Sequence, residues 1–204
     1  MARTPKVVED RREQIIDAAM RVFAQKGFAR ATNKDIAREA AITPGLIYHY
    51  FASKEDLLMA VIEAKSPLQF ITSLPPEITL LPPEQFFRIV LLRVLNIFEA
   101  EPFVNLLPVL FSETLHDGNG YAAQIIPTLM PRAITFISTY IEMKTLTGEL
   151  RPIDPAMVAQ IVAGCLISFM IRRVLLHDPI ARSYTQEQIV DAIIDVSLRG
   201  LLPR

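Results

Sequence analysis

Residues 33–57 read Asn33-Lys34-Asp35-Ile36-Ala37-Arg38-Glu39-Ala40-Ala41-Ile42-Thr43-Pro44-Gly45-Leu46-Ile47-Tyr48-His49-Tyr50-Phe51-Ala52-Ser53-Lys54-Glu55-Asp56-Leu57. Asn33 is an N-cap residue type placed ahead of Ile36, Ala37 and Ala40, which share one helical face. Thr43 is a second cap. Pro44 follows it at the first helical position, where a missing N–H leaves no bond unmade. Ser53 is a third cap, with Asp56 three residues on. The spacing predicts three short helices joined by very short turns.

Working outward, Ile15, Ala19, Val22 and Phe23 fall on one face of a preceding helix, and Gly27 is a natural residue to end it. The fourth helix, opening at Ser53, is expected to run to about Ser73, and the two Pro-Pro pairs between Leu74 and Pro83 to form a loop. Helical spacing returns over 84–99 and 103–116, and Asp117-Gly118-Asn119-Gly120 breaks it. A long helix then runs to about Thr147, ended by Gly148, with a kink or a late start expected from Pro127 and Pro131. Asp154-Pro155 opens the next helix and Asp178-Pro179 is expected to stop it. The last helix starts at Thr185, where Gln188 completes a capping box. Alternating strand patterns are nearly absent, so the fold class is all-α. We expect about nine helices, divided into a three-helix head over 1–55 and a larger helical body over 56–204.

Apolar residues make up 51% of the 204, enough for a sizeable core. Cys165 is the single cysteine, which excludes an internal disulfide and a cysteine-built metal site and suits a reducing cytoplasm. Charges near the N-terminus stand where a signal peptide would be apolar. The most apolar stretch, Ala156 to Ile171, is shorter than the roughly 20 residues a membrane helix needs, and reads as a helix buried on all sides. No membrane partner is expected. The first 55 residues hold ten Lys/Arg against seven Asp/Glu, and the rest eleven against fifteen. A basic head on an acidic body suits a protein that offers one end to a polyanion, and chance unevenness gives the same count.

The run from Gly27 to Leu57 closely resembles the DNA-binding head of the TetR/AcrR family, with many positions agreeing in order and without a gap. The resemblance covers about the first 60 residues. Helix number and the Gly148-Glu149-Leu150-Arg151-Pro152 turn extend it more weakly along the chain. It implies a helix-turn-helix whose second helix enters the major groove, about 12 Å wide. Ile47, Tyr50 and Phe51 at i, i+3 and i+4 then hold that helix inward. Pro44, Gly45, Leu46, Tyr48 and His49 lie on the other side, with Thr43 capping them. Thr32, Lys34 and Lys54 complete the expected DNA contacts: Thr32 as a donor to phosphate, and Lys54 as a cation beside a phosphate at the start of the fourth helix. Tyr48, His49 and Lys54 taken singly also read as ordinary surface or core residues. The sequence departs from the family at Ala41, usually Gly, and at Leu46, usually small or hydroxylated.

The last two long helices are apolar on two faces each and so need two partners. By resemblance the second partner is the same pair in another subunit, and Met157, Ile161, Cys165, Phe169, Ile189, Ile193 and Val196 are the expected dimer residues. The thicker core of a monomer is the alternative. The resemblance also implies a pocket for a small, mostly apolar effector, for which Phe103, Leu107, Phe111, Met130, Phe136 and Tyr140 are candidates, and plain core packing is the other reading of those aromatics.

A catalytic reading finds no phosphate-cradling glycine loop, no metal-ligand spacing among His49, His116 and His177, and no nucleophile–base pair. No cofactor or metal is expected. The implied function is that of a DNA-binding transcriptional regulator, by family default a repressor released by its ligand. A helical interaction module or co-regulator is the alternative.

Overall fold

The computed structural model describes residues 5–65, 74–101, 104, 105, 107, 108, 111 and 121–201. Among these the structure is all-α, with nine α-helices and no strand. Two compact units are present: Met1–Ser66 with Glu101–Ala123, and Pro67–Ala100 with Gln124–Arg204. The expected stretches 66–73 and 112–120, and Phe103, lie outside the described residues.

In the first unit α1 (Pro5–Lys26) buries Ile15, Ile16, Ala18, Ala19, Val22 and Phe23 along one face. Gly27 ends it at φ +75°, its N–H donating to Phe23 O at 2.9 Å, a conformation that favours glycine. α2 (Asn33–Glu39), α3 (Pro44–Tyr50) and α4 (Lys54–Lys65) follow. α1 packs against α2 and α4, and α2 against α3. Ile36, Ala37, Ile47, Leu57, Leu58 and Val61 fill the space between them. Ser53 caps α4 as expected, its Oγ accepting from Asp56 N at 2.9 Å.

The second unit opens with a 3₁₀ turn, Pro76–Leu80, inside the proline-rich loop. Its helices are α5 (Pro83–Glu99), α6 (Tyr121–Leu146, whose part from Gln124 belongs here), α7 (Pro155–Met170), α8 (Pro179–Ser183) and α9 (Gln186–Leu201). α5 lies against α9 and α7, and α9 against α7. Phe86, Phe87, Leu91, Leu95, Tyr140, Ile141, Val158, Val162, Ile189 and Val190 form a shared core.

α6 starts ahead of both Pro127 and Pro131 and carries them inside, so the late start expected from them is not observed. It ends at Gly148, φ +79°, where Glu149 N donates to Lys144 O at 2.9 Å and the Lys144 ammonium pairs with Glu149 at 2.9 Å. Asp154 caps α7 through the N–H groups of Ala156 and Met157. Asp178 was expected only to stop that helix. The helix does end ahead of it, after α7 runs on through a π turn, Ile171–Leu175, and Asp178 in addition caps a further helix, α8, through Ile180 N and Ala181 N. The Asp178 carboxylate also pairs with Arg172 at 2.6 Å, which holds it below the usual carboxylate range and able to accept those bonds. The capping box at Thr185 and Gln188 is present in both directions.

The stretch Pro155–Leu175 is long and apolar enough to cross a membrane by length and composition alone. Its part from Ala156 to Ile171 was expected to be buried on all sides. Only one face is: Val158, Ala159, Val162, Leu166 and Met170 enter the core, while Met157, Gln160, Ile161, Gly164, Cys165 and Ser168 are exposed.

Candidate nucleic-acid interface

The geometry of α2 begins one residue earlier than expected. Thr32, not Asn33, is the N-cap, in extended conformation at φ −118°. Its Oγ1 accepts from Asp35 N at 3.2 Å and donates to Asp35 Oδ2 at 2.8 Å, while Thr32 N donates to the same carboxylate at 3.2 Å. Aspartate at the third position closes this box as glutamate does elsewhere. Asn33 instead enters the helix, with Oδ1 buried and without a hydrogen-bond partner among the described residues. Lys26, 2.7 Å from Asp35, holds that carboxyl down at about 2, with the Thr32 hydroxyl adding to the effect. The Thr32 hydroxyl proton is therefore directed to Asp35, not outward to a phosphate as the sequence suggested.

The turn between α2 and α3 rests on Ala41. Its φ is +51°, in the left-handed region where the family's glycine would be at ease. The turn closes through Ala41 N to Arg38 O at 3.2 Å and Ile42 N to Ala37 O at 2.9 Å. From α1, Gln14 Nε2 donates to Ala40 O at 2.8 Å and fixes the turn from behind. This brings Thr43 into extended conformation ahead of Pro44, with no side-chain hydrogen bond capping α3. Pro44 brings no N–H to the start of α3, and Leu46 N donates to Thr43 O at 3.0 Å, so the helix opens without a side-chain acceptor.

α3 has two distinct sides. Ile47 and Phe51 are buried and Tyr50 half-buried, with Phe51 beneath the Arg12 guanidinium at 5.2 Å. Thr43, Pro44, Gly45, Tyr48 and His49 are exposed, Tyr48 by 61%, and Leu46 is half-buried between the sides. A Cβ built on Gly45 meets nothing within 4 Å, so nothing in the free protein requires glycine there. Lys34 is exposed on α2.

Lys54 departs from expectation. Its ammonium donates to Phe28 O at 2.9 Å and to Ala31 O at 3.1 Å, and lies 4.2 Å from the centre of the Phe28 ring. It is half-buried and already engaged in the turn between α1 and α2, where the sequence reading had it facing a phosphate. Backbone carbonyls carry no residue-type signal, so the part played by Phe28 and Ala31 was not legible in the sequence.

The described effector candidates fall in both units. Leu107 is buried and Phe111 half-buried in the first unit. In the second, Met130 is half-buried and Phe136 packs against the core. Tyr140 stacks on Phe86 with centroids 3.5 Å apart and rings 3° from parallel, and its hydroxyl donates to Leu81 O at 2.8 Å. Burial pushes the Tyr140 phenol well above its ordinary range. These are core contacts, which is the other reading the sequence left open for Phe136 and Tyr140. A separate groove of about 570 Å³ lies beside α5, lined by Leu74, Ile78, Leu81, Ile89 and Leu92.

The dimer residues also divide. Met157 (58%), Ile161 (55%) and Val196 (76%) are exposed, as is Cys165. Ile189 and Ile193 are buried in the chain's own core, and Phe169 packs against that core, edge-on to Tyr184. Both faces of α9 looked apolar in sequence. The face that carries Ile189 and Ile193 is the one that meets α5 and α7.

The family model for bacterial regulatory proteins of the tetR family matches residues 15–61, which run from within α1 into α4. The transcriptional regulator HbdR of Aromatoleum sp. (strain CIB) is 48% identical over 59 residues, 29% of this chain and 26% of its own length. The matched stretch thus spans about a quarter of that relative. The likeness in fold is longer. The regulator FadR of Bacillus subtilis, solved with stearoyl-CoA, superposes with a TM-score of 0.73 at 21% identity, covering 92% of this chain and 98% of that one. The SmeT–triclosan complex, a repressor from Stenotrophomonas maltophilia, gives 0.76 at 19% identity, covering 95% and 92%. The stretch that carries the candidate interface is the stretch that matches the model for bacterial regulatory proteins of the tetR family, and the likeness in fold to such regulators extends over nearly the whole chain.

Proposed function

We propose that the chain is a cytoplasmic, homodimeric transcriptional repressor that binds a duplex operator through α3 and is released from it by a small, mostly apolar effector. The observation that carries this reading is the outward side of α3: a glycine that the fold does not need, and the exposed side chains of Thr43, Tyr48 and His49. Thr43, Tyr48, His49 and Lys34 supply hydrogen bonds to phosphates, which position a protein on DNA. Leu46 faces a thymine methyl by apolar contact, which is one way of reading sequence. The body supports the other parts. Met157, Ile161, Cys165 and Val196 form the dimer face, and a two-fold axis there sets the half-site spacing of a near-palindromic operator. The groove beside α5 provides apolar walls for the effector.

Release follows from a population shift. Two arrangements of the dimer hold the heads at different spacings, and only one matches successive major grooves. A hundredfold loss of DNA affinity needs a coupling of about 2.7 kcal/mol, and linkage requires operator to weaken the effector by the same factor.

The test is an electrophoretic shift with fragments of the source genome, at several salt concentrations. Retarded fragments whose affinity falls steeply with salt support the repressor. No retardation at micromolar protein would leave the chain as an interaction module.

A further inference from the structure

The Lys54 contacts point to a role beyond holding charge. We infer that Lys54 is a positioning residue: its ammonium clamps the start of α4 to the α1–α2 turn and thereby sets the pose of the recognition helix α3, without itself neutralising a phosphate. The inference rests on the DNA-binding reading above for its consequence on DNA, and on the free protein for the clamp.

Three observations converge. The ammonium has two carbonyl acceptors, Phe28 O and Ala31 O, at 2.9 and 3.1 Å, and a ring face at 4.2 Å. That surrounding is built: Phe28 and Ala31 are buried, and the Phe28 ring lies 5.3 Å from that of Phe23 in α1. The turn that presents the carbonyls is itself fixed, by Gly27 at φ +75° and by Ala31 N donating to Gly27 O and Phe28 O. A cation on the first turn of a helix is disfavoured by the helix dipole. Two carbonyl dipoles and an aromatic face offset this. Only Phe51, Ala52 and Ser53 separate the last residue of α3 from Lys54. A shift at the start of α4 is therefore passed to α3 with little slack, and side chains at the base edges tolerate little of it.

The experiment uses the full chain with Lys54→Met, which keeps the apolar stem and removes the cation, and Lys54→Arg, which keeps a cation. Amide exchange is read first, without DNA. Lys54→Met should lower protection over residues 45–51 about tenfold and leave α7 unchanged, and Lys54→Arg should recover part of it. Binding is then measured to a duplex enriched by the wild type from a random pool, and to an unselected duplex. Lys54→Met should bind the enriched duplex about tenfold more weakly, bind the unselected one as before, and keep the salt slope.

A slope lower by about 0.9, with exchange unchanged, would make Lys54 a phosphate contact and overturn the inference. Equal weakening on both duplexes would show a merely structural residue. Lys54→Arg no better than Lys54→Met would show that the cation is not what holds the clamp. If the wild type enriches no duplex, the DNA-binding reading fails and with it the consequence on DNA, while exchange still decides the clamp.

Discussion

α3 and α7 each send one apolar face into a core and leave the other to solvent, and their outward faces differ in what they offer. That of α3 carries Thr43, Gly45, Tyr48 and His49: donors, and a gap where a side chain would stand. That of α7 carries Met157, Ile161, Gly164 and Cys165, with Gln160 and Ser168 as its hydrogen-bonding groups, and so is the more apolar of the two. A surface that keeps its water until it meets phosphate needs hydrogen-bonding groups, whereas a surface that gains by losing water needs apolar area. The two helices therefore suit different partners, a polyanion and a second protein surface.

The largest effect should come from breaking the apolar side. Ile161→Glu places a charge at a position 55% exposed in the single chain. The fold should survive, and a micromolar dimer should elute as a monomer in light scattering coupled to size exclusion. Ile193→Glu, at a position only 5% exposed, should instead unfold the body, because a buried charge without a partner costs several kcal/mol. A folded monomeric Ile193→Glu with a dimeric Ile161→Glu would exchange the roles of the two faces.

On the polar side, Gly45→Ala separates fold from contact. A Cβ meets nothing within 4 Å in the free protein, so chemical denaturation should show equal or slightly higher stability, by up to about 0.5 kcal/mol. Affinity for duplex DNA should fall by tenfold or more if the backbone approaches DNA closely there. Unchanged affinity would remove Gly45 from the interface.

A smaller effect belongs to the turn that presents α3. Ala41 at φ +51° carries strain that glycine would relieve. Ala41→Gly should raise stability by about 0.5–1 kcal/mol, after the greater freedom of glycine in the unfolded chain is subtracted. Lower stability in denaturation would show that Ala41 is not strained.

The smallest concerns Asp35. Its folded-state value of about 2 lies below that of an unfolded aspartate, about 3.9. Its contribution is therefore complete above pH about 4 and lost as pH falls through 2. Asp35→Asn should flatten the acid limb of the unfolding curve of the head in that window, followed by the exchange of α2 amides. An identical acid limb in wild type and variant would show that the pair with Lys26 adds nothing in solution.

The elements of the head were legible because their signals are local. Caps, a helix-ending glycine and 3.6-residue spacing act within a few residues, so the starts of α3 and α4 and the end of α1 follow from residue types alone. The left-handed backbone at Ala41 was legible only through resemblance, since alanine itself gives no sign of it. Asp35 at the third position of α2 was also in the sequence, yet Thr32 and Asn33 are both good caps. The choice between them is tertiary: Asn33 turns inward, and Lys26 approaches Asp35 from another helix.

What the sequence by itself determined about this protein is its all-α class, its helix-turn-helix and the residues on the outward side of α3. Helical phase sets the side on which a residue stands, and it depends only on the chain. What tertiary structure alone decided is the use of each side. Ile193 and Ile161 are the same residue at the same kind of spacing, yet one is core and the other surface, because α5 packs on α9 where Ile193 points and among the described residues nothing covers Ile161. Lys54 differs in use from a free surface lysine for the same reason: two carbonyls from residues more than twenty positions away converge on it. Contacts between distant parts of a chain depend on how its helices pack, and packing is a property of the whole fold, which no local pattern encodes.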